Sequence, residues 1–526
     1  MDVESQVAEL MDKINGIDPL KDPVAFSNII WNYLKPRQGR TAPRAHLFTI
    51  NGLTYPIQRD YGFAAVPDPT ELRVTRGSQP RFVTQRSKRR YSMLAYLFSV
   101  RPGDLIFFFQ ADPQYPKDIW NRRGFRGIWI AITPPFRDLT SIKHSTTGYE
   151  ILGKCPSCGT PFNFGEGAGV RGSSRKCLLC GADYGTVKMG KEEFSKVVLS
   201  ARFLIKPLIV FKKTAGDNRV YSDLVIAPLI WISRTDNAMG AGKGSTIRTL
   251  LPEEAVKIAY MLATEDSQAI DHPTVQQYPG STGGQITDYN GKPVELLRAV
   301  RSEGHRRWEL EHEFHLNLYF AMNIDNPSSS VQHVLRIPLG EVEWWTTEFP
   351  WGYTGDTADF SLTLWDDHRG RYAIYLFEFK KGDVDKKSLA EVLLYVPWVA
   401  QVLVNQVTYS NVVEVYPILV GVDCKLRYVP DGYSLDFNYV RIPTLSTTVK
   451  SLRIEVKPPI VLKYDIKNCE DILKDRARDG KEVCYTRELE LTKVDVRTRP
   501  FKPPPVTYTA TEVEKETVVR KYLANF

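Results

Sequence analysis

No part of the chain strings together the roughly 18 apolar residues that would cross a bilayer, so no transmembrane helix is expected. Cysteine is scarce, seven in 526 residues, which excludes a disulfide-dense secreted scaffold. No segment repeats at a fixed period, which sets aside solenoids and propellers. His312 and His315 do not stand at the H-E-x-x-H spacing of a helical zinc protease, and they read as ordinary helix residues. The run Met239-Gly-Ala-Gly-Lys-Gly-Ser245 imitates a phosphate loop but fails on two positions. Asn237 stands where the first glycine is required, and Gly244 rather than Ser or Thr follows Lys243. Nucleotide hydrolysis is therefore excluded, and Lys243 is expected to touch a nucleic-acid backbone. Met1 to Gly16 is acidic and amphipathic, unlike the basic start of a signal peptide, so a cytoplasmic chain is expected.

What is present is ordinary globular material, 43% apolar and 25% charged, enough to bury a core in roughly three or four domains. The 69 Lys and Arg against 61 Asp and Glu leave a net charge of +8, which permits a polyanionic partner without requiring one. The distribution says more. Between Glu71 and Arg101 lie Arg73, Arg76, Arg81, Arg86, Lys88, Arg89, Arg90 and Arg101, with Glu71 the single acid and Phe82, Tyr91 and Tyr96 interleaved. Such a stretch reads either as a solvated loop or as a phosphate-facing stripe, with Arg86, Lys88, Arg89 and Arg90 as the phosphate-binding candidates.

Periodicity predicts short helices over residues 1–44, where Val7, Leu10, Met11 and Ile14 share a face and Pro36 closes the segment. Strands are predicted at His46–Asn51, Ser99–Gln110, Gly124–Thr133, Arg202–Lys212 and Leu224–Ser233, then a helix after Pro252. Residues 267–293 are polar, hold Gly and Pro, and lack periodicity, so they read as a linker between a first domain (45–266) and a second (294–425). The second domain offers a helix at Arg306–Met322, strands at Asp359–Leu364 and Tyr372–Phe379, a helix at Lys387–Val404 and a strand at Val413–Val422, an α/β pattern around a central sheet. Residues 426–526 read as β-rich with a Pro-rich extension and a charged tail.

Two pairs, Cys155-Pro-Ser-Cys158-Gly and Cys177-Leu-Leu-Cys180-Gly, are separated by 18 residues. Four thiolates on two tight turns suit one tetrahedral Zn²⁺. No thioredoxin-like βαβ pattern surrounds them, so a structural zinc ribbon over 150–186 is expected, in a reducing compartment. Cys424, Cys469 and Cys484 are scattered and read as packed or free thiols.

Asp359 lies in a predicted strand, and Glu378-Phe379-Lys380 follows after 18 intervening residues. Alternation puts Glu378 and Lys380 on one face of an otherwise apolar strand, where unpaired charge is costly. A divalent cation held by Asp359 and Glu378 would neutralise the carboxylates, and the hard oxygen ligands suit Mg²⁺ or Mn²⁺. Lys380 could orient the attacking water. The alternative is an edge strand with a solvated Glu and Lys. The order Thr354-Gly355-Asp356 before the Asp strand, Lys381-Gly382-Asp383 after the ExK strand, and a helix carrying Glu391 and Tyr395 resembles the RecB-like branch of the PD-(D/E)xK nucleases. That resemblance implies an α/β restriction-endonuclease-like core over about 300–425 and metal-dependent phosphodiester hydrolysis. It also implies an acid on the leading helix, best matched by Glu311 with Glu309 and Glu313 as competitors. The family has Gln where Glu391 stands; Glu391 is then either an extra ligand to metal or water, or outside direct contact. Tyr395 matches.

His46–Ile50, Arg101–Phe109, Gly124–Ala131 and Pro228–Trp231 resemble the EVE/YTH group of PUA-like barrels over about 45–260. This implies a pocket that stacks a modified base flipped out of its strand, with Trp129 and Trp231 as first candidates and Phe109, Phe125 and Tyr55 behind them. Together the two resemblances imply a multidomain α+β protein: a PUA-like β-barrel with an inserted zinc ribbon, then a nuclease core. The implied activity is modification-dependent cleavage of nucleic acid, DNA rather than RNA, by a dimer if both strands are cut. Flap, mismatch or branch cleavage in DNA repair, and non-catalytic binding, are the alternatives.

Overall fold

The computed structural model describes residues 3–35, 41–51, 54–66, 72–73, 81–82, 93–112, 124–138, 141–145, 148–152, 199, 201–216, 219, 247–286, 292–301, 307–350, 357–366, 371–403, 412–441, 448–474 and 482–503. The expected zinc ribbon with its four cysteines, Trp231, Lys243, and Arg86, Lys88, Arg89 and Arg90 lie outside these residues. The fold is mixed α/β, built on several sheets, one of them curled.

The N-terminal half opens with α1 (Val3–Asn15) and α2 (Pro23–Tyr33). Asp22 caps α2, its carboxylate accepting from Ala25 N–H at 2.8 Å, and Pro23 takes the first helical turn, where no N–H is needed. Then come β1 (Ala45–Asn51), α3 (Thr54–Asp60) and β2 (Phe63–Val66). Residues 93–99 are helical, so the strand expected from Ser99 starts later, as β3 (Leu105–Asp112). The intervening Pro102-Gly103 turn, with Gly103 at φ 96, breaks the run that the apolar pattern suggests is continuous. β4 (Gly124–Ala131), the 16-residue β5 (Ala201–Gly216), β6 (Ile247–Leu250) and α4 (Pro252–Ala263) complete this half. The sheet order is β6-β1-β3-β4-β5, with β1 and β3 parallel, the other pairs antiparallel, and β2 on the far part of β5. Helices α1, α2 and α4 bury Leu10, Phe26, Ile30, Ile258 and Leu262 against one sheet face, through Phe107, Phe109, Phe125 and Ile128.

At the start of α4, Leu251 N–H donates to Glu254 Oε2 at 2.8 Å while Oε1 is buried without a partner. Burial raises the Glu254 carboxyl to about 8, against the Leu251 bond that lowers it, with nearby Glu253 adding to the rise. The folded chain therefore keeps this proton over a range in which the unfolded chain has released it, and the stability it gives is lost as pH climbs from about 4.5 through 8. Glu254→Gln keeps the acceptor and is expected to raise the melting temperature at pH 8.5 with little effect at pH 5. Equal shifts at both pH values would refute that linkage.

Residues 267–286, expected as part of a linker, are fastened to the N-terminal half. Gln276 N–H donates to Asp60 O at 2.7 Å, Tyr278 Oη to Asp138 Oδ2 at 2.6 Å, and Arg137 N–H to Gly284 O at 2.7 Å. Many of its polar side chains, among them His272, Thr274, Gln277 and Thr282, are exposed, while these bonds tie the backbone down.

The C-terminal half carries β7 (Leu297–Arg301), β8 (Glu309–Leu310), α5 (Phe314–Asn323), β9 (Val342–Pro350), β10 (Thr357–Asp366), β11 (Arg371–Phe379), α6 (Lys386–Leu403) and β12 (Val412–Gly421). After these come β13 (Tyr433–Arg441), β14 (Thr448–Val456), β15 (Ile460–Ile466), β16 (Glu470–Lys474), β17 (Glu482–Thr486) and β18 (Leu489–Val494). The helix expected from Arg306 begins at Phe314. Before it Trp308, Glu309 and Leu310 alternate in and out, and β8 pairs with β7 as a strand. The main sheet runs β9-β10-β11-β12-β14-β13, with β15 also beside β12. β9, β10 and β11 form an antiparallel meander, and α6 crosses over so that β12 lies parallel to β11. Helix α5 covers one face through Leu316 and Phe320, and α6 covers the other through Leu389, Val392 and Leu393.

Cys469 and Cys484, expected as separate thiols, form a disulfide, and Cys424 is the free cysteine among the described residues. Antiparallel pairing of β16 with β17 brings their Cα atoms to 5.4 Å across 15 residues of sequence. No described helix is long and apolar enough to cross a membrane.

The two halves share one continuous apolar core, from Phe108 and Trp129 to Phe360 and Phe377. Ala42 N–H donates to Val342 O at 3.0 Å, and Trp344 Nε1 to Leu250 O at 2.8 Å. The Arg44 guanidinium lies 3.5 Å from the Trp345 ring centroid. Arg101, counted in the run that reads as a solvated loop or a phosphate-facing stripe, makes a two-armed ion pair with Asp325 at 2.8 and 3.0 Å.

Candidate active site

The meander, crossover and following strand place Asp359 and Glu378 on neighbouring strands. β10 and β11 pair with Phe360 opposite Phe377, and carried one residue further this register sets Asp359 beside Glu378. The alternation that buries Phe360 and Phe377 against α5 turns both acids to the α6 face. Phe379 N–H donates to Asp359 Oδ2 at 2.6 Å, which fixes that carboxylate across the strand pair. Beyond the end of β11, Lys380 N–H still donates to Val420 O at 2.8 Å. The lysine is therefore held at the end of an interior strand pair, not released into the Lys381-Gly382 turn.

The Lys380 ammonium lies 2.5 Å from Glu378 Oε1 and 3.1 Å from Glu391 Oε2, the latter presented by α6. Glu378 is only 4% exposed, and its second oxygen, Oε2, is buried without a hydrogen-bond partner. Burial pushes the Glu378 carboxyl well above its ordinary range, Asp359 adds to the rise, and Lys380 opposes it. Asp359 is raised to about 7, first by burial, against the Phe379 N–H and the Lys380 charge, with Glu313 and Glu348 repelling its ionised form. The Lys380 ammonium is held above its usual range, burial opposing and Glu378 and Glu391 prevailing.

The expected helix acid takes a different place. Glu311 is buried and pairs with Arg298, whose Nη1 stands 3.0 Å from Oε2. Glu313, at the N-terminal end of α5, is the acid of this segment whose charge acts on Asp359, and Glu309 is exposed on β8. Tyr395 is buried between α6 and the sheet, one turn beyond Glu391. Two contributors escaped the sequence reading. Tyr464 on β15 donates to Lys381 O at 2.5 Å and accepts from Leu310 N–H at 3.2 Å, tying the turn after Lys380 to the strand before Glu313. Glu348 sits on β9, a strand that the sequence reading did not include. The aromatic and β-branched run Trp344-Trp345-Thr346-Thr347 carried its signal.

The described pocket aromatics separate. Trp129 packs edge-on against Phe108 at 4.7 Å and Tyr55 at 6.0 Å in the core shared by both halves. Phe109 and Phe125 meet each other at 5.2 Å on the opposite side of the sheet, under α1, α2 and α4. Successive residues on a strand face opposite sides, so Phe108 and Phe109 cannot line one pocket. Trp129 is fully buried, and its Nε1 finds no hydrogen-bond partner. Tyr96, one of the aromatics interleaved with the basic run, is buried too and serves the contact between halves through its bond to the Glu348 carbonyl.

Among the described residues no three of His, Cys, Asp and Glu converge as they stand into a ready coordination shell. The residues nonetheless fit a hard cation: two carboxylates side by side, one with an orphaned buried oxygen, are acceptors in search of positive charge. No protein-family model and no curated protein sequence matches the chain.

Proposed function

We propose that this chain is a divalent-cation-dependent nuclease that hydrolyses phosphodiester bonds in nucleic acid, DNA rather than RNA. One observation carries the reading: Asp359 and the half-orphaned Glu378 lie side by side, with the Lys380 ammonium 2.5 Å from Glu378, at the end of a meander whose next element is a crossover helix. Asp359 and Glu378 would hold Mg²⁺ or Mn²⁺, which when bound polarises the phosphate and makes the attacking water more acidic. Lys380, steadied by Glu378 and Glu391, orients that water and meets the charge growing on the phosphate oxygens. Glu313 adds negative field from the N-terminal end of α5. The same arrangement supports the PD-(D/E)xK resemblance. A structural Zn²⁺ on Cys155, Cys158, Cys177 and Cys180 remains part of the proposal, as does a homodimer for double-strand cutting.

For the substrate, residues 45–266 are proposed to recognise the nucleic acid. Recognition of a modified base requires an open aromatic pocket, and Trp231 is the candidate outside the described residues. The closed packing of Trp129 against Phe108 and Tyr55 favours the second reading, a nuclease that recognises flaps, mismatches or branches. Cleavage of methylated, unmodified, mismatched and branched duplexes, each with Mg²⁺ and with EDTA, separates the two. Cation-dependent cleavage is expected, and preference for a modified duplex would restore the first reading. No cleavage of any substrate with either Mg²⁺ or Mn²⁺ would sink the nuclease.

A further inference from the structure

We propose that Glu348 is the third carboxylate of the cation site, and that Tyr96 and Arg248 of the N-terminal half set it in place, so that the first half completes the site of the second. The inference rests on the nuclease reading above and names a residue which that reading does not use. Its first support is register. β9 and β10 pair with Thr347 opposite Phe360 and Phe349 opposite Ala358, which brackets Glu348 directly against Asp359. With Glu378 on the other side of Asp359, three acids fall at neighbouring register positions on three adjacent strands. Like charges directly opposite one another destabilise a sheet. Lys380 pairs with Glu378 and Glu391 and also opposes the Asp359 charge, while Arg248 opposes that of Glu348.

The second support is conformation. Glu348 has φ 49, in the left-handed region that residues with a Cβ enter rarely and that tends to persist at constrained functional positions. The third is the pair of residues that hold it. Tyr96 Oη donates to the Glu348 carbonyl at 3.3 Å and reaches its Oε2 at 3.5 Å, while Arg248 Nη1 donates to the same Tyr96 oxygen. Tyr96 lies in the helical segment 93–99 and Arg248 on β6, both in the N-terminal half. An independent sign that a ligand belongs at the end of this row is Glu378 Oε2, buried and without a partner beside Asp359. An all-carboxylate set selects a hard divalent ion over zinc.

The test is a calorimetric titration of the full chain with Mn²⁺ alone, without nucleic acid. Wild type is expected to show a binding component that Asp359→Asn removes. Glu348→Gln should weaken that component about tenfold or more, and Glu348→Asp should recover part of it. Tyr96→Phe should weaken it about threefold to tenfold, and should add nothing in the Glu348→Gln background, because it acts through that carboxylate. A merely structural Tyr96 would weaken both backgrounds alike, and that result overturns the proposal. So does Mn²⁺ binding by Glu348→Gln at wild-type affinity. If Glu348→Gln does not fold, Tyr96→Phe compared with Glu348→Asp carries the same test. A wild type with no Asp359-dependent component fails earlier and removes the nuclease reading itself.

Discussion

Asp359→Asn is expected to abolish cation-dependent cleavage while making the metal-free protein more stable. Cleavage should fall by at least about a thousandfold, roughly 4 kcal/mol of barrier, because the cation then loses a charged ligand that serves the transition state. Stability should move the other way. Burial raises the Asp359 carboxyl to about 7, with the Phe379 N–H and Lys380 only partly opposing it. A raised folded value means that stability is complete below the ordinary carboxylate range and drains away as pH rises through about 7. Asn has no proton to lose and still offers an oxygen to the Phe379 N–H. In EDTA at pH 8 the variant should gain about 1–4 kcal/mol, and at pH 4 almost nothing. Urea melts at the two pH values, beside a cleavage assay, check both halves of the statement. Retained cleavage would end the assignment of this site; a variant less stable at pH 8 would show that the carboxylate is anchored by something other than an absent cation.

Asp104→Ala is expected to cost about 3–5 kcal/mol, a large share of the roughly 5–15 kcal/mol that holds an ordinary domain folded. Asp104 Oδ1 accepts from Arg44 N–H at 2.8 Å. Oδ2 accepts from Arg101 N–H at 2.9 Å and stands 2.9 Å from His46 Nε2 and 3.2 Å from Arg44 Nη2. Asp104, Arg44 and His46 are all buried. Burial alone would raise the Asp104 carboxyl, but Arg44 and His46 outweigh it and hold it below its ordinary value. That contribution is present above about pH 4 and is lost only as the solution is made more acid. Burial likewise keeps His46 below its usual range, as a neutral ring. Without the carboxylate, the Arg44 charge stays buried between the halves with the carbonyls of Ser99 and Trp345, the Trp345 ring and the field of Asp325. Asp104→Asn, which keeps shape but not charge, should fall between wild type and Ala. A loss below about 1 kcal/mol in denaturant melts would contradict this account.

The sequence made the local part of the site legible because local rules govern it. Period-two alternation put Glu378 and Lys380 on one face, and the structure brings both to within ion-pair distance. The span of α6 and the strands on either side followed from apolar pattern and Gly or Pro punctuation. What the sequence concealed was pairing at a distance. Nothing near Glu348 announces that its strand will lie against Asp359, and nothing near Arg298 announces that it will take Glu311. Trp129 attracted attention as a stacking surface, yet a large aromatic on a strand serves a core equally well, and there it packs. The Cys469–Cys484 link likewise depends on a strand register that spacing does not encode.

The apolar core that runs unbroken from Trp129 to Phe377 bears on how such a chain can be taken apart or recombined. A cut within residues 267–293 severs the backbone without separating the halves, since Trp345, Trp344 and Arg44 still hold them together. Each half expressed alone would present the other's packing surface to water. The first half is thus not a cassette to be exchanged for another domain, and descent by shuffling would have to carry the seam along with both of its sides.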